Sequence, residues 1–255
     1  MNHANKQFGC ALIQGASRGI GLEFTRALVA DNRYRRVVAT CRDPHRAAAL
    51  ARLCENSHGR LLVFRLDVTQ EESIEAAAVA TAELETPVRL IINSAGILHD
   101  NGLRPERRLA DIEPDVIQQV FAVNALGPLL VAKHFSPLFD RRARAVLANL
   151  SARVGSIEDN ALGGWYSYRA SKAAQNMFTR NLSVELKRRY QGVICVALHP
   201  GTVDTRLSKP FQRNVPEHKL FSVERAANQL IDVINGLQPS DNGRFYGWDG
   251  AEIAW

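Results

Sequence analysis

Two side chains in "WYSYRASK", residues 165–172, have the types and spacing to move a proton. Tyr168 and Lys172 are one helical turn apart, so on a helix they share a face. A phenol titrates near ~10 in water, too high for efficient proton exchange at neutral pH, and a neighbouring ammonium favours the phenolate. The pair is therefore a candidate general acid and base. Tyr166 has the uncharged Ala170 as its fourth neighbour and reads as pocket wall or packing, while Trp165 either lines a pocket or covers the helix start. Asn124, inside the apolar "FAVNALGP", is a third candidate, because an amide among such neighbours is costly without partners.

These residues need a frame to hold them. Short β-rich runs recur at 10–15, 35–41, 60–68, 88–96, 144–152, 193–201 and 243–248. Helical spacing lies between them, as in Ile20-Leu22-Phe24-Leu28 and Val116-Val120-Val123. Strand and helix alternating in this way predict an α/β fold, with a parallel sheet covered by helices on both faces. A chain of 255 residues, 46% hydrophobic and without repeat or linker, fits one domain. Residues 203–222 break the pattern with two prolines, mixed charge and isolated apolar residues. In open α/β sheets ligands bind beyond the carboxyl ends of the strands, so this segment reads as a lid, with a plain surface loop as the alternative.

The net charge of +6 comes in short groups, "RYRR" at 33–36, "RPERR" at 104–108, "RRAR" at 141–144 and "KRR" at 187–189. That scatter fits solvated helix ends better than a nucleic-acid face, and a positive field also suits an anionic small ligand. The cysteines 10, 41, 54 and 195 and the seven histidines show no metal-ligand spacing, so no metal is expected. The polar start "MNHANKQFG", and the lack of an apolar stretch near the roughly 18 residues of a membrane span, predict a cytoplasmic protein without membrane contact.

After the first strand comes "GASRGIG", with Gly15, Ser17, Arg18, Gly19, Ile20 and Gly21 at a strand-to-helix turn. Glycines there let amide N–H groups approach a pyrophosphate at a helix N-terminus, the dinucleotide-binding arrangement. The second strand ends "ATCRD", where an NAD site usually places a carboxylate for the ribose hydroxyls. Here Arg42 stands at that end and Arg18 approaches from the loop, two guanidinium groups suited to a 2′-phosphate. Asp43 precedes Pro44 and reads as a helix N-cap. NADP(H) is expected over NAD(H).

From end to end these motifs resemble the short-chain dehydrogenases/reductases. Beyond the glycine loop stand Asp67-Val68, "NSAG" at 93–96 in place of Asn-Asn-Ala-Gly, Asn124, Tyr168-x-x-x-Lys172, and "HPGTV" at 199–203. The resemblance implies a single Rossmann-type domain over 1–255 with a seven-stranded sheet of order 3-2-1-4-5-6-7. It places Asp67 and Val68 against adenine, and Asn93, Ala95, Gly96, Pro200, Gly201 and Val203 around the rest of the cofactor. Lys172 would bond the nicotinamide ribose, and Asn124 would hold a relay water. NADPH would deliver hydride to a carbonyl while Tyr168 protonates the alkoxide, and alcohol oxidation reverses both steps. A homodimer or homotetramer is implied too, with "FYGWDGAEIAW" at an interface or over the pocket. Within the family, "GGWYSYRASK" and "GRFYGWDGAEIAW" look like the branch holding the bacterial signalling protein C-factor and carbonyl-reductase-like relatives.

One departure stands out. The family usually ends its fifth strand with two small polar residues, the second of which donates to the substrate carbonyl. Here "NLSARVG" gives Ser151 and then Ala152, which has no hydroxyl. Either a shift brings Ser151 in, or Ser156 substitutes, or activity is reduced; an oxyanion donor is worth ~3 kcal/mol. The expected function is thus an NADPH-dependent carbonyl reductase or alcohol dehydrogenase acting on a small to medium ketone, aldehyde or quinone. The alternative, which Ala152 supports, is an NADP(H)-binding signalling or regulatory protein with incidental turnover. Nucleic-acid binding rests on net charge alone.

Overall fold

A computed structural model describes residues 9–100 and 102–255; the polar start, residues 1–8, lies outside the described residues. In chain order the strands are β1 (Cys10–Gln14), β2 (Arg36–Cys41), β3 (Leu61–Arg65), β4 (Val88–Asn93), β5 (Ala145–Leu150), β6 (Val193–His199), β7 (Thr202–Val203), β8 (Leu220–Phe221) and β9 (Arg244–Gly247). The main helices are α1 (Gly19–Ala30), α2 (Ala48–Glu55), α3 (Glu71–Ala82), α4 (Pro114–Phe121), α5 (Gly127–Phe135), α6 (Tyr166–Arg189) and α7 (Val223–Gly236).

Seven strands pair in the order β3-β2-β1-β4-β5-β6-β9, all parallel. The expected order holds, with β9 as the seventh strand because β7 and β8 form a ladder of their own within the irregular segment. Alternate residues of β1 enter opposite cores. Ala11 and Ile13 pack with Phe24, Leu28, Leu50, Leu230 and Ile234 of α1, α2 and α7. Cys10 and Leu12 pack with Ile74, Val131, Phe135, Leu182 and Leu186 of α3, α5 and α6. Burial on both faces is why the strands read as unbroken apolar runs.

The chain crosses the sheet between β3 and β4, so the direction of strand order reverses between β1 and β4, and a crevice opens at their carboxyl ends. Ser94, which gives "NSAG" its serine, closes the crevice floor by donating to Gln14 O at 2.7 Å. A buried amide chain then fixes α6 to the sheet. Asn93 Nδ2 donates to Asn149 Oδ1 (2.7 Å), and Asn149 Nδ2 donates to Thr179 Oγ1 (2.8 Å).

Two differences from expectation concern helices. The pattern around Val116 and Val123 predicts an ordinary helix, yet α4 and α5 are joined by a π-helical stretch, Ala122–Leu126, closed by Gly127 N donating to Ala122 O. The wide turn breaks the 3.6-residue phase, and the polar Asn124 within it is 0% exposed. The continuous helix Pro114–Leu138 is also long and apolar enough to cross a membrane, contrary to the expectation that no stretch comes near that length. Its contacts with α3 and α6 and its buried asparagine are those of a core helix. Of the basic groups, only "KRR" ends a helix, in the last turn of α6; the others lie in loops and at strand entries. The four cysteines are free, three of them buried in strands.

Replacing Asn149 with alanine leaves Asn93 and Thr179 without their shared partner. A destabilisation of about 2 kcal/mol is expected, a fall in Tm of roughly 4–8 °C by differential scanning fluorimetry.

Candidate active site

The crevice widens into a cleft of about 550 Å³. One end is lined by Gly15, Ser17, Arg18, Gly19, Ile20, Gly21 and Arg42, with Asp67 and Val68 beside them; the other end holds Ala95, Gly96, Ser151, Tyr168, Lys172 and Pro200. The loop is shaped by its glycines. Gly15 (φ +85°) approaches the Ala95 backbone so closely that a Cβ would lie 2.7 Å from Ala95 N, and a Cβ on Gly21 would collide with Gly15 O. Gly15 N and Ala16 N donate to Thr40 O at 3.0 and 2.9 Å. α1 starts with no side-chain cap and no acidic residue in its first turn. An uncapped helix N-terminus facing a cleft favours an anion. Arg18 and Arg42 are exposed at the same end. Asp43 is occupied elsewhere, capping Pro44–Arg46 and lying 4.0 Å from Arg46. These features fit a phosphorylated dinucleotide.

At the other end, α6 brings Tyr168 and Lys172 onto one buried face, 8% and 3% exposed. Gly155 allows the turn after β5 to press on α6, since a Cβ there would lie 3.0 Å from the Lys172 backbone carbon. Lys172 Nζ donates to Leu150 O (2.7 Å) and Gln175 Oε1 (2.9 Å) and sits 6.0 Å from the Tyr168 ring centroid. Burial pushes the phenol up to about 12 and the ammonium down to about 7. The depression of the phenol anticipated from its neighbour is thus absent, and desolvation raises it instead. Between about 7 and 10.5 the unfolded chain holds a lysine proton that the folded chain has released, so this group makes the fold more stable as pH rises through that window.

Asn124 is committed on both sides of its amide. Nδ2 donates to Ile97 O (2.9 Å) and Ser171 Oγ (3.1 Å), and Oδ1 accepts from Ile97 N (2.8 Å). It ties the loop after β4 to the helix carrying Tyr168. Asn93, Gly201 and Val203 do not line the cleft: Asn93 belongs to the amide chain, and Gly201 packs against Phe221 and Trp248.

Neither serine presents an unbonded hydroxyl proton to the cleft in place of the one missing at Ala152. Ser151 reaches the cleft wall, but its Oγ donates its proton to Asn176 Oδ1 at 2.6 Å. Ser156 is buried outside the cleft lining, accepting from Asp159 N at 3.1 Å.

Trp165 takes its place through a strained turn, and Glu106 and His99, which the sequence did not single out, hold the surroundings. Gly163, Gly164 and Trp165 are consecutively left-handed, with Trp165 at φ 49°, a strained backbone for a bulky residue. Glu106, 3% exposed inside "RPERR", holds that turn. Its carbonyl accepts from Trp165 N at 2.6 Å, and its carboxylate accepts from Ser167 N at 3.2 Å and from Ser167 Oγ. The turn sets the Trp165 ring 6.2 Å from Tyr168 and 4.8 Å from Phe211. Tyr166 instead is 40% exposed. His99 pins the 203–222 segment, with Nε2 3.0 Å from Arg206 O and 3.1 Å from Leu207 O, and its ring lies 5.8 Å from Phe211. The double glycine before the helix was the one local signal of this turn. The partners of Glu106 and His99 are 61 and 107 residues away.

Comparison with known proteins agrees with this geometry. A profile of the family described as short chain dehydrogenase matches residues 9–216. The 1-hydroxy-2-glutathionyl-2-methyl-3-butene dehydrogenase of Rhodococcus sp. (strain AD45) is 34% identical over 244 residues, 96% of this chain and 98% of that protein. The C-signal protein of Myxococcus xanthus is 36% identical over 178 residues, 70% of this chain and 99% of its own. Among solved structures, NADPH-bound carbonyl reductase from chicken fatty liver superimposes with a TM-score of 0.86 at 33% identity, covering 98% of this chain and 100% of that one. Carbonyl reductase Sniffer of D. melanogaster gives 0.85 at 27% identity, covering 97% and 100%.

Proposed function

Because the chain belongs to the short-chain dehydrogenase family, a family of oxidoreductases, we propose that it is an NADP(H)-dependent carbonyl reductase with Tyr168 as general acid. The observation that carries this reading is the buried Tyr168–Lys172 pair at one end of a cleft whose other end is an uncapped helix start flanked by Arg18 and Arg42. Bound there, a nicotinamide dinucleotide supplies or accepts the hydride.

The chain's own residues divide the remaining work. Gly15, Ser17, Gly19, Ile20 and Gly21 form the pyrophosphate cradle, and Arg18 and Arg42 take the 2′-phosphate. Asp67 and Val68 flank the adenine, and Ala95, Gly96 and Pro200 line the nicotinamide end. A phenol pushed up to about 12 is protonated at neutral pH and so carries the proton that a developing alkoxide takes up, while the Lys172 ammonium beside it would lower that value toward the working range. Lys172 orients the ribose and recharges the phenol, while Asn124 holds the loop across from it. His99 lines the cleft and packs on Phe211, which packs on Trp165; this aromatic group suits a carbonyl with apolar or aromatic substituents, and residues 203–222 form the lid over it. Exposed Leu126, Met177 and Val184 on the long helix and α6 suit a homo-oligomer, and the setting proposed is the cytoplasm.

A second reading has one observation behind it. With Ala152 lacking a hydroxyl and Ser151 bonded to Asn176, the carbonyl loses a polarising donor. Weak turnover, with NADP(H) binding serving a signalling role, would fit that gap, and the similarity to the C-signal protein fits it too.

Tyr168→Phe separates the two. Followed at 340 nm with a panel of ketones, aldehydes and quinones, turnover is expected to fall at least ~1000-fold while NADPH still binds. Retained turnover contradicts the proton-transfer role, and biological function surviving in the variant favours the signalling reading. Coenzyme choice rests on the guanidinium groups. The wild type is expected to use NADPH over NADH, and Arg42→Asp to reverse the ratio of kcat/KM by roughly 100-fold; an NADH preference in the wild type contradicts the assignment.

A further inference from the structure

One buried side chain touches Lys172 and has no part in the reaction as described above. Gln175 lies one turn further along α6 and is 1% exposed. Its Oε1 accepts from Lys172 Nζ at 2.9 Å, while its Nε2 is buried with no hydrogen-bond partner among the described residues. A buried amide with an unpaired N–H is penalised, and a leucine or methionine would fill a similar volume in the helix interior with comparable propensity. The lysine fixes which way the amide points, since the opposite orientation would set its NH₂ against an ammonium. The one polar service this side chain performs is to Lys172.

That service matters because of what surrounds the ammonium. On α6 it is faced by Tyr168 and Gln175, and from β5 by the Leu150 carbonyl. The turn after β5 contributes Gly155, which abuts the lysine Cβ; the loop after β4 contributes Gly96, with Asn124 of the π-helical stretch beside it. Tyr168 alone among these groups titrates, and no carboxylate among the described residues bonds the ammonium. Two of its three N–H groups are held by neutral oxygens, and Lys172 itself lines the cleft.

We propose that Gln175 is a positioning residue for Lys172: its amide oxygen anchors the ammonium at the inner wall of the cleft and favours its charged form where no carboxylate among the described residues bonds it. The proposal rests on the reading of Tyr168 and Lys172 as the proton-handling pair. Burial already holds the lysine down to about 7, and an acceptor that bonds the charged form more strongly than the neutral amine works against that shift. Losing the acceptor moves the midpoint lower still.

The test is a pH titration of Lys172 by heteronuclear NMR in cofactor-free, lysine-labelled protein, for the wild type, Gln175→Met and Gln175→Glu, beside Tm and the pH profile of NADPH-dependent turnover. Gln175→Met is expected to keep or raise Tm and to lower the Lys172 midpoint by about one pH unit, a tenfold change in acid dissociation constant. Gln175→Glu keeps an oxygen acceptor, adds charge and is expected to raise the midpoint. An unchanged midpoint in Gln175→Met overturns the proposal, and if that variant does not fold, an unchanged midpoint in Gln175→Glu does so. If the midpoint shifts and the pH profile of turnover does not follow, the anchor stands, and the assignment of Lys172 to proton handling falls.

Discussion

Lys172 carries an ammonium into the cleft at 3% exposure, where its hydrogen bonds among the described residues go to a backbone carbonyl and an amide oxygen. Burying a charge without a counter-charge is among the most expensive arrangements a protein makes, and the group answers by shifting its titration toward neutrality. The same burial pushes the phenol four residues earlier the other way. Both groups are thereby moved toward their uncharged forms.

Much of the fold can be read as support for that one unfavourable placement. α6 turns a polar face inward, with Ser167, Ser171, Gln175, Asn176, Thr179 and Ser183 all buried. Each is bonded to the sheet, to a loop or to its own helix: Ser167 to Glu106, Ser171 to Asn124, Asn176 to Ser151, Thr179 to Asn149. Hydrogen bonds of this kind add little net stability each but are costly to break, so they fix the helix in one position. The π-helical stretch delivers Asn124, and Glu106 holds the left-handed turn that sets Trp165 against the phenol. Buried polar residues thus line the inner face of α6 and meet Asn149 and Asn93 of the strands beneath it.

What could be read from the chain follows from which interactions are local. The glycine loop, the Tyr168–Lys172 spacing and the apolar strands are contained in short windows, and the parallel sheet with its order follows from their alternation and the family likeness. The inner face of α6 was hidden because its buried residues are polar, so hydrophobic periodicity points the wrong way. Asn124 stood out as a polar break, but nothing in "FAVNALGP" announces a π-helical turn. Glu106 looked like one charge in a basic surface cluster, and only a contact with Ser167 reveals it as a buried clamp. The fate of the serine could not be decided from spacing either. Ser151 is close enough to line the cleft, and it takes the partner Asn176 to show where its proton goes.

The rest depends on Lys172 being buried with no carboxylate among the described residues bonded to it. Its titration midpoint in wild-type protein, read directly from the lysine side-chain resonance, tests that most simply. A midpoint of about 7 is expected. A midpoint at the ordinary 10.5 would mean that the ammonium is solvated or paired, and would contradict the account.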